Sequence, residues 1–135
     1  MASHEIPHSH MDLVSWDIKS FAHIATIGPD GEPHSSPVWF DWDGTHIMFS
    51  LTTGRQKYRN LQREKRISMS ILDPSDAYRY IEIRGELDEI EPDPDISFIS
   101  RMAKKYKSLD VYPWHDPADE RVVMKIKPIK ASVMN

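Results

Sequence analysis

The sequence contains no cysteine, and this absence excludes several kinds of chemistry. Without thiols the chain cannot form a disulfide framework, a zinc–cysteine site, an iron–sulfur cluster or a thiol nucleophile. No apolar run approaches the roughly 20 residues that a helix needs to cross a bilayer. The polar N-terminus also lacks the apolar core of a signal peptide. We therefore expect a cytoplasmic protein with no membrane partner.

Basic charge is also in short supply. Lys and Arg number 17 against 21 Asp and Glu, which gives a formal net charge of −4. Because nucleic-acid-binding domains are usually basic, this balance argues against a nucleic-acid partner. The length of 135 residues suits one domain that can bury a core without disulfides or metals. We expect an N-terminal tail with a short helix over 1–20 and a single β domain over 21–135.

Familiar catalytic motifs are missing as well. The chain has no G-x-S-x-G nucleophile elbow, no G-x-G-x-x-G or Walker loop and no H-E-x-x-H pair. Hydrolase triads and nucleotide-binding loops are therefore unsupported. His4, His8 and His10 cluster as metal ligands can, but residues 1–8 look disordered. We interpret these histidines as solvated and predict no metal site.

Glycines are few, and four of the five lie between residues 28 and 54, where they punctuate a meander. Turn signals at 28–33 and at Asp43-Gly44 separate predicted strands at 21–27, 34–42 and 46–52. A short basic helix over 54–64 is followed by strands at 66–72 and 77–90. Gly85, inside the last of these strands, indicates a bulge or a close backbone approach.

The remaining segments predict two more helices and a final strand. Ser9 and Asp12 have the spacing of a capping box before a short helix. Asp93 is expected to cap a longer helix that has Pro94 at its first position. The apolar stripe of that helix is Ile96, Ile99, Ala103 and Tyr106. With a last strand at 121–127, the pattern predicts a mainly β fold, a six-stranded antiparallel barrel with short helices.

Two apolar patterns indicate what is core and what is interface. In the strand over 77–90, Tyr78 and Tyr80 share one face, and Ile81 and Ile83 lie on the opposite face, which we take as core. The run Val38, Trp39 and Phe40 is more apolar than one small barrel would cover. Exposed patches of this kind mark interfaces, so we predict a homodimer.

The best candidate for a binding site is a strand, a glycine and a basic helix in succession. In SLTTGRQKYRN the hydroxyls of Ser50 and Thr52 precede Gly54, and Arg55 and Lys57 follow it. Arginine offers a forked donor, lysine a point charge and the helix N-terminus free N–H groups, which together suit a phosphate. An ordinary basic surface helix is the alternative, and the residues alone leave both open.

Four segments, taken in order, resemble the pyridoxamine-phosphate-oxidase-like split β-barrel proteins. Within that superfamily they resemble the branch of deazaflavin (coenzyme F-420)-dependent enzymes. The segments are AHIATIGPDGEPHSSPVWFDWDG, GRQKYRNLQREKRISMSILDP, YRYIEIRGEL and MAKKYKSLDVYP. The resemblance implies a six-stranded antiparallel Greek-key split barrel of the FMN-binding type. It also implies a homodimer with two cofactor sites at the subunit interface.

The resemblance further implies which residues hold the cofactor. The backbone of the second strand would lie along the tricyclic ring, through Ser35, Ser36, Pro37 and Val38. The phosphate and tail would be bound by Ser50, Thr52, Arg55, Gln56 and Lys57. The start of the fifth strand would close over the cofactor, from the same chain or from its partner, through Asp76, Ala77, Tyr78 and Tyr80.

The implied activity is hydride transfer from reduced F-420 to a small conjugated organic acceptor. Since the cofactor carries this chemistry, no catalytic residue is assigned, and His34, Ser36, Tyr78 and water are candidate proton donors. FMN is the alternative cofactor, and a non-catalytic cofactor carrier is the alternative to an enzyme. The anionic tail of F-420 slightly favours F-420, because Arg59 and Arg63 add surplus cations to the same helix.

One departure from the pyridoxamine-phosphate oxidases bears on the substrate. Those enzymes have an Arg-x-His near the C-terminus that holds the substrate, and here Arg121-Val122-Val123 occupies the comparable region. The missing histidine argues against vitamin B6 oxidation.

Overall fold

The computed structural model describes residues 5–135, which form one antiparallel sheet with three short helices. The helices are an N-terminal 3₁₀ helix (His8–Val14), α1 (Gln56–Arg63) and α2 (Ser97–Lys107). The strands are β1 (Ala22–Ile27), β2 (Pro33–Val38), β3 (Asp41–Trp42), β4 (Ile47–Thr52), β5 (Arg66–Asp73), β6 (Asp76–Pro92) and β7 (Arg121–Met134). Within these residues, none of the helices has the length and apolar character needed to cross a membrane.

The sheet has the strand order β2-β1-β5-β6-β7-β4-β3, and every pairing is antiparallel. A mainly β antiparallel fold was expected and is confirmed. The predicted count of six strands is wrong. Residues 5–135 contain seven strands, and β2 and β3 are the outer strands of an order that does not close on itself.

The seventh strand arises because the predicted strand at 34–42 is interrupted at Trp39 and Phe40. Tyr106 of α2 contacts both residues. Its ring stacks on that of Trp39, with centroids 5.3 Å apart. Its hydroxyl lies 3.4 Å from the backbone N of Phe40. The Phe40 side chain is fully buried, so the expected exposed patch at residues 38–40 is not present as such. This long-range packing ends β2 early and redirects the chain into β3.

The last strand is longer than predicted, because Pro128 does not end it. Pro128 lies opposite Gly85 of β6, at a register shift of the ladder. A Cβ on Gly85 would lie 2.7 Å from the carbonyl oxygen of Lys127, so only glycine fits this close approach. Gly85 was predicted to mark a bulge or a close approach, and both are confirmed. The bulge accommodates a proline that lacks a ladder donor.

The core lies on the inner face of the sheet. Ile81 and Ile83 of β6 are fully buried, whereas Tyr80 is half-buried and Tyr78 is exposed, as the alternation predicts. The other fully buried large side chains of the sheet include Ile24, Phe49, Met69, Ile71 and Met124. Leu61 of α1 joins this cluster and fixes the helix against the barrel.

The N-terminal 3₁₀ helix covers one end of this core. Ile6 is buried in the cluster, so the expected disorder is wrong for residues 5–8; residues 1–4, including His4, lie outside the described residues. His10 is fully buried, not solvated, and its Nε2 is 2.9 Å from the carbonyl oxygen of Met134. The capping box is also wrong: the helix follows Pro7 and has no side-chain cap. The carboxylate of Asp12 instead pairs with the guanidinium of Arg79 on β6, at 2.7 Å.

Helix α2 begins later than predicted. Its N-cap is Ile96, in the left-handed region at φ 54°, and Pro94 is not its first residue. Asp93 nevertheless satisfies the first turn, because its carboxylate accepts bonds from the backbone N of Phe98 and of Ile99, at 3.2 and 3.3 Å. The predicted stripe is largely confirmed, since Ile99, Ala103 and Tyr106 are buried and Ile96 is half-buried.

Candidate functional site

A cavity of about 400 Å³ opens where the end of β2, the end of β4, the start of α1 and the start of β7 meet. Its polar lining residues are Ser50, Thr52, Arg55, Lys57 and Arg121. Its remaining lining residues are Phe21, Pro37, Val38, Trp39, Leu51, Ile99, Tyr112 and Trp114. The cavity therefore has a cationic side and an aromatic side, and its lining contains no carboxylate.

Arg55 and Lys57 supply the positive charge at the start of α1. Arg55 is the N-cap residue of the helix, and Lys57 lies on its first turn. Among residues 5–135, neither side chain forms a hydrogen bond or an ion pair. Burial, together with the charge of Arg55, lowers the pKa of the Lys57 ammonium below its ordinary value. The chain thus brings together two cations that it does not neutralise, as an anion-binding site requires.

Arg121, at the first position of β7, adds a third cation. It lies opposite Thr52 in the β4–β7 ladder, and its Nη1 donates to the Ser50 hydroxyl at 3.0 Å. Its guanidinium carbon is 5.0 Å from the centroid of the Tyr112 ring. The Nε of Arg121 is buried and has no hydrogen-bond partner among residues 5–135. A fixed guanidinium with a buried, unused donor indicates that an acceptor belongs beside it.

The aromatic side of the cavity is built from a chain of rings. Trp39 stacks on Tyr106 and meets the edge of Tyr112 at a centroid distance of 6.4 Å. Tyr112 in turn meets Trp114 at 5.5 Å. Tyr112 and Trp114 lie on the segment between α2 and β7, which Ser100 anchors by accepting a bond from the backbone N of Tyr112 at 3.1 Å. Such a wall suits a flat conjugated ring.

The predicted phosphate residues lie together with one exception. Ser50, Thr52, Arg55 and Lys57 all line the cavity. Gln56 does not, because its amide is occupied within the helix: Nε2 donates to Asn60 at 2.7 Å, and Oε1 accepts a bond from Arg59.

The surplus cations expected on the outer face of α1, Arg59 and Arg63, already form hydrogen bonds within the chain. The guanidinium of Arg59 donates to the carbonyl oxygen of Gly54 at 2.8 Å and to Gln56. The guanidinium of Arg63 donates to the carbonyl oxygen of Ile27 on β1. Both arginines therefore brace the helix, and the preference for F-420 that they were expected to give is weaker.

The predicted ring-binding strand reaches the cavity only at its end. Pro37 and Val38 line it, whereas Ser35 and Ser36 lie earlier on β2. The Ser36 hydroxyl is buried and lacks a partner among residues 5–135. His34, another candidate proton donor, lies 3.4 Å from the Glu32 carboxylate, outside the cavity lining.

The residues predicted to close over the cofactor lie elsewhere on the same chain. Ala77 and Tyr80 border a second groove, on the outer face of β5, β6 and β7, together with Ser132, Val133 and Met134. The Asp76 carboxylate accepts a bond from the backbone N of Tyr78 at 3.1 Å. The Tyr78 side chain is 82% exposed. A single chain therefore does not bring this segment to the cavity.

Sequence reasoning missed the aromatic wall and the role of Arg121. The aromatic residues of the irregular segment SLDVYPWHDP could have indicated the wall, because long ordered loops with large side chains usually carry a function. Arg121 gave no such signal. Its proximity to Ser50 depends on the β4–β7 pairing, which joins residues 71 positions apart.

The donor set fits a flavin-type cofactor. Two unpaired cations suit the phosphate, the aromatic wall suits the planar ring, and the buried Nε of Arg121 still needs an acceptor. The volume also falls within the range of small-molecule sites, about 300–1,000 Å³. No group of His, Asp or Glu in the described part of the chain has the arrangement of a metal site.

Comparison with known proteins gives a consistent result. The sequence profile of the pyridoxamine 5'-phosphate oxidase family matches residues 18–135. A solved structure described as an F-420 reductase is 36% identical, with a TM-score of 0.82, over 94% of this chain and 98% of its own. No curated protein matches the chain.

Two more distant solved structures share the fold. A conserved hypothetical protein of Mycobacterium tuberculosis is 22% identical, with a TM-score of 0.71, over 96% of this chain and 85% of its own. General stress protein 26 of Bacillus anthracis is 18% identical, with a TM-score of 0.66, over 93% and 94%. The chain therefore belongs to the pyridoxamine 5'-phosphate oxidase family and has its split-barrel fold.

Proposed function

We propose that the protein is an oxidoreductase that binds a deazaflavin of the F-420 type and passes a hydride to a small conjugated acceptor. The observation that carries this proposal is the pair of unneutralised cations, Arg55 and Lys57, beside a carboxylate-free cavity with an aromatic wall. The similarity to an F-420 reductase over 94% of the chain supports the choice of a deazaflavin.

Different residues of the cavity would bind different parts of the cofactor. Arg55 and Lys57 would hold the phosphate by charge-assisted bonds, and Thr52 would add a neutral donor. Pro37 and Val38 would contact one side of the ring. Trp39 and Tyr112 would exclude water from it, which strengthens every polar contact inside the site.

When bound, the reduced cofactor supplies the hydride. The acceptor would take up this hydride and one proton. None of the candidate proton donors His34, Ser36 and Tyr78 lines the cavity of the single chain. Water therefore remains the donor that needs no rearrangement of this chain.

FMN is the second candidate cofactor, and one observation favours it. An F-420 tail of lactate and glutamates needs cations beyond the phosphate, but Arg59 and Arg63 already donate to backbone carbonyl oxygens. Arg55 and Lys57, whose side chains form no hydrogen bond or ion pair within residues 5–135, are sufficient for the single phosphate of FMN.

We also propose that the protein acts as a homodimer whose partner completes the site. Tyr78 is highly exposed and lies away from its own chain's cavity, although the resemblance implies that this segment closes over a cofactor. The adjacent outer face also exposes apolar area at Val133 and Met134. A second copy on this face would cover these side chains and deliver Tyr78 to the opposite cavity.

Equilibrium titration tests the cofactor assignment. The purified protein is titrated with F-420 and, separately, with FMN, and quenching of the cofactor fluorescence is followed. We expect saturation at one cofactor per chain and tighter binding of F-420. Tighter binding of FMN would establish the alternative, and no saturable binding of either would refute both. Reduction of a quinone by the loaded protein would then separate an enzyme from a carrier.

A further inference from the structure

Arg121 is a cation that the phosphate does not require. Arg55 and Lys57 lie at the start of α1, whereas the Arg121 guanidinium is directed to Ser50 and to the face of Tyr112. Tyr112 belongs to the aromatic wall, through its contact with Trp39. The Arg121 guanidinium therefore contacts the aromatic wall, against which a planar ring would be bound.

The guanidinium is fixed before any ligand arrives. Nη1 donates to the Ser50 hydroxyl at 3.0 Å, and the Tyr112 ring supports the guanidinium face at 5.0 Å. Nε is buried without a partner in the described chain, and the cavity lining contains no carboxylate to neutralise the charge. A buried donor left unpaired costs free energy, which a ligand that accepts its hydrogen bond would recover.

We propose that Arg121 stabilises the negative charge that the cofactor ring gains on reduction. A flavin or deazaflavin ring that has taken up a hydride carries one more negative charge, spread over the N1 and O2 edge. A preorganised cation within reach of that edge would bind the reduced ring more tightly than the oxidised ring, and so would raise the reduction potential. Arg121 is thus a tuning residue, distinct from the pair that holds the phosphate. This inference rests on the proposed function.

The experiment compares the two redox states of the bound cofactor. Reduction potentials are measured for FMN and for F-420 bound to the wild type, Arg121→Gln, Arg121→Lys and Lys65→Gln. Lys65 is an exposed residue outside the cavity and serves as the control for a lost surface charge. The dissociation constant of the oxidised cofactor is measured in parallel, and circular dichroism melting checks that each variant folds.

Arg121→Gln should weaken the preference for the reduced cofactor tenfold to hundredfold, while the dissociation constant of the oxidised form changes little. For a two-electron couple this corresponds to a fall of about 30 to 60 mV. Arg121→Lys should retain part of the effect, and Lys65→Gln should leave the potential unchanged. If Arg121→Gln is too unstable to measure, Ser50→Ala, which frees Nη1, should lower the potential in the same direction.

Three results would overturn the inference, and they are distinguishable. Equal weakening of both redox states would mean that Arg121 holds the phosphate. An unchanged potential with a raised KM for the acceptor would mean that Arg121 binds the acceptor. If the wild type binds neither cofactor, the proposed function fails and the role of Arg121 fails with it.

Discussion

Lys57 carries a charge that the described chain does not neutralise, and this makes its titration informative. Burial and the neighbouring Arg55 lower the pKa of the Lys57 ammonium. A bound phosphate favours the protonated form, so it would reverse part of this shift. Affinity for a phosphate-bearing cofactor should therefore be highest below the lowered pKa and should fall as the pH rises through it.

Dissociation constants measured across the alkaline range check this expectation. Lys57→Arg provides the matched comparison, because a guanidinium stays protonated up to a pH of about 12. The decline should be present in the wild type and absent from Lys57→Arg. A decline with the same midpoint in both proteins would assign the titration to another group.

The two faces of β6 should differ in their contribution to stability. Ile83 is fully buried in the core, so Ile83→Ala should lower the free energy of unfolding by about 2–5 kcal/mol. Tyr80 is half-buried on the opposite face, and Tyr80→Phe should cost much less. In the proposed dimer, where this segment would meet the cavity of the partner, Tyr80→Phe should alter cofactor affinity instead. Urea unfolding followed by circular dichroism measures both. A larger loss for Tyr80→Phe would contradict the assignment of the two faces.

Among the elements, the β6–β7 ladder depends on one glycine. A Cβ at Gly85 would lie 2.7 Å from the carbonyl oxygen of Lys127, and a backbone atom gives way less readily than the end of a flexible side chain. Gly85→Ala should therefore destabilise the fold by about 1–3 kcal/mol, as overpacking generally does. Gly54→Ala is the matched control, because no heavy atom lies within 4 Å of the added Cβ. Equal melting temperatures for the two variants would contradict the close approach.

Elements whose signals are local could be predicted from the sequence. Alternation along β6 placed Ile81 and Ile83 in the core, and Gly85 indicated its own bulge. Where the local pattern predicted the wrong strand bounds, contacts between residues distant in sequence determined the actual bounds. Tyr106 divides the predicted second strand, because its ring stacks on Trp39 and its hydroxyl contacts the backbone N of Phe40. The strand propensity of residues 34–42 gives no information about a contact with Tyr106, which is more than 60 positions away.

In the candidate site, too, residues close in sequence could be predicted and residues brought together by long-range contacts could not. The cationic side of the cavity could be predicted because its residues are close in sequence, from Ser50 to Lys57. Arg121 and Tyr112 could not be assigned to it, because β7 reaches β4 only through the folded sheet. Gln56 does not line the cavity, and spacing alone does not show that its amide binds Asn60 within the helix.

For the whole molecule, the outer face of β5, β6 and β7 predicts the oligomeric state. Light scattering at micromolar concentration should give twice the chain mass of 15.7 kDa. Val133 is partly exposed beside the outer groove, so Val133→Arg should place a charge in the interface and yield monomers. Val111→Arg is the control, because Val111 is exposed and does not border the outer groove. A monomeric wild type would contradict the dimer.

The most direct test of the cofactor site is the affinity of Lys57→Ala for F-420 and FMN, measured beside Lys65→Ala. Lys65 is exposed and lies outside the cavity lining, so Lys65→Ala is the matched control for a lost surface charge. Losing a charge-assisted bond to the phosphate costs about 1.5–3 kcal/mol, a roughly tenfold to hundredfold loss of affinity. We predict that loss for Lys57→Ala and almost none for Lys65→Ala, with both variants folded. Equal, small effects from the two substitutions would show that α1 is an ordinary basic surface and would contradict the phosphate site.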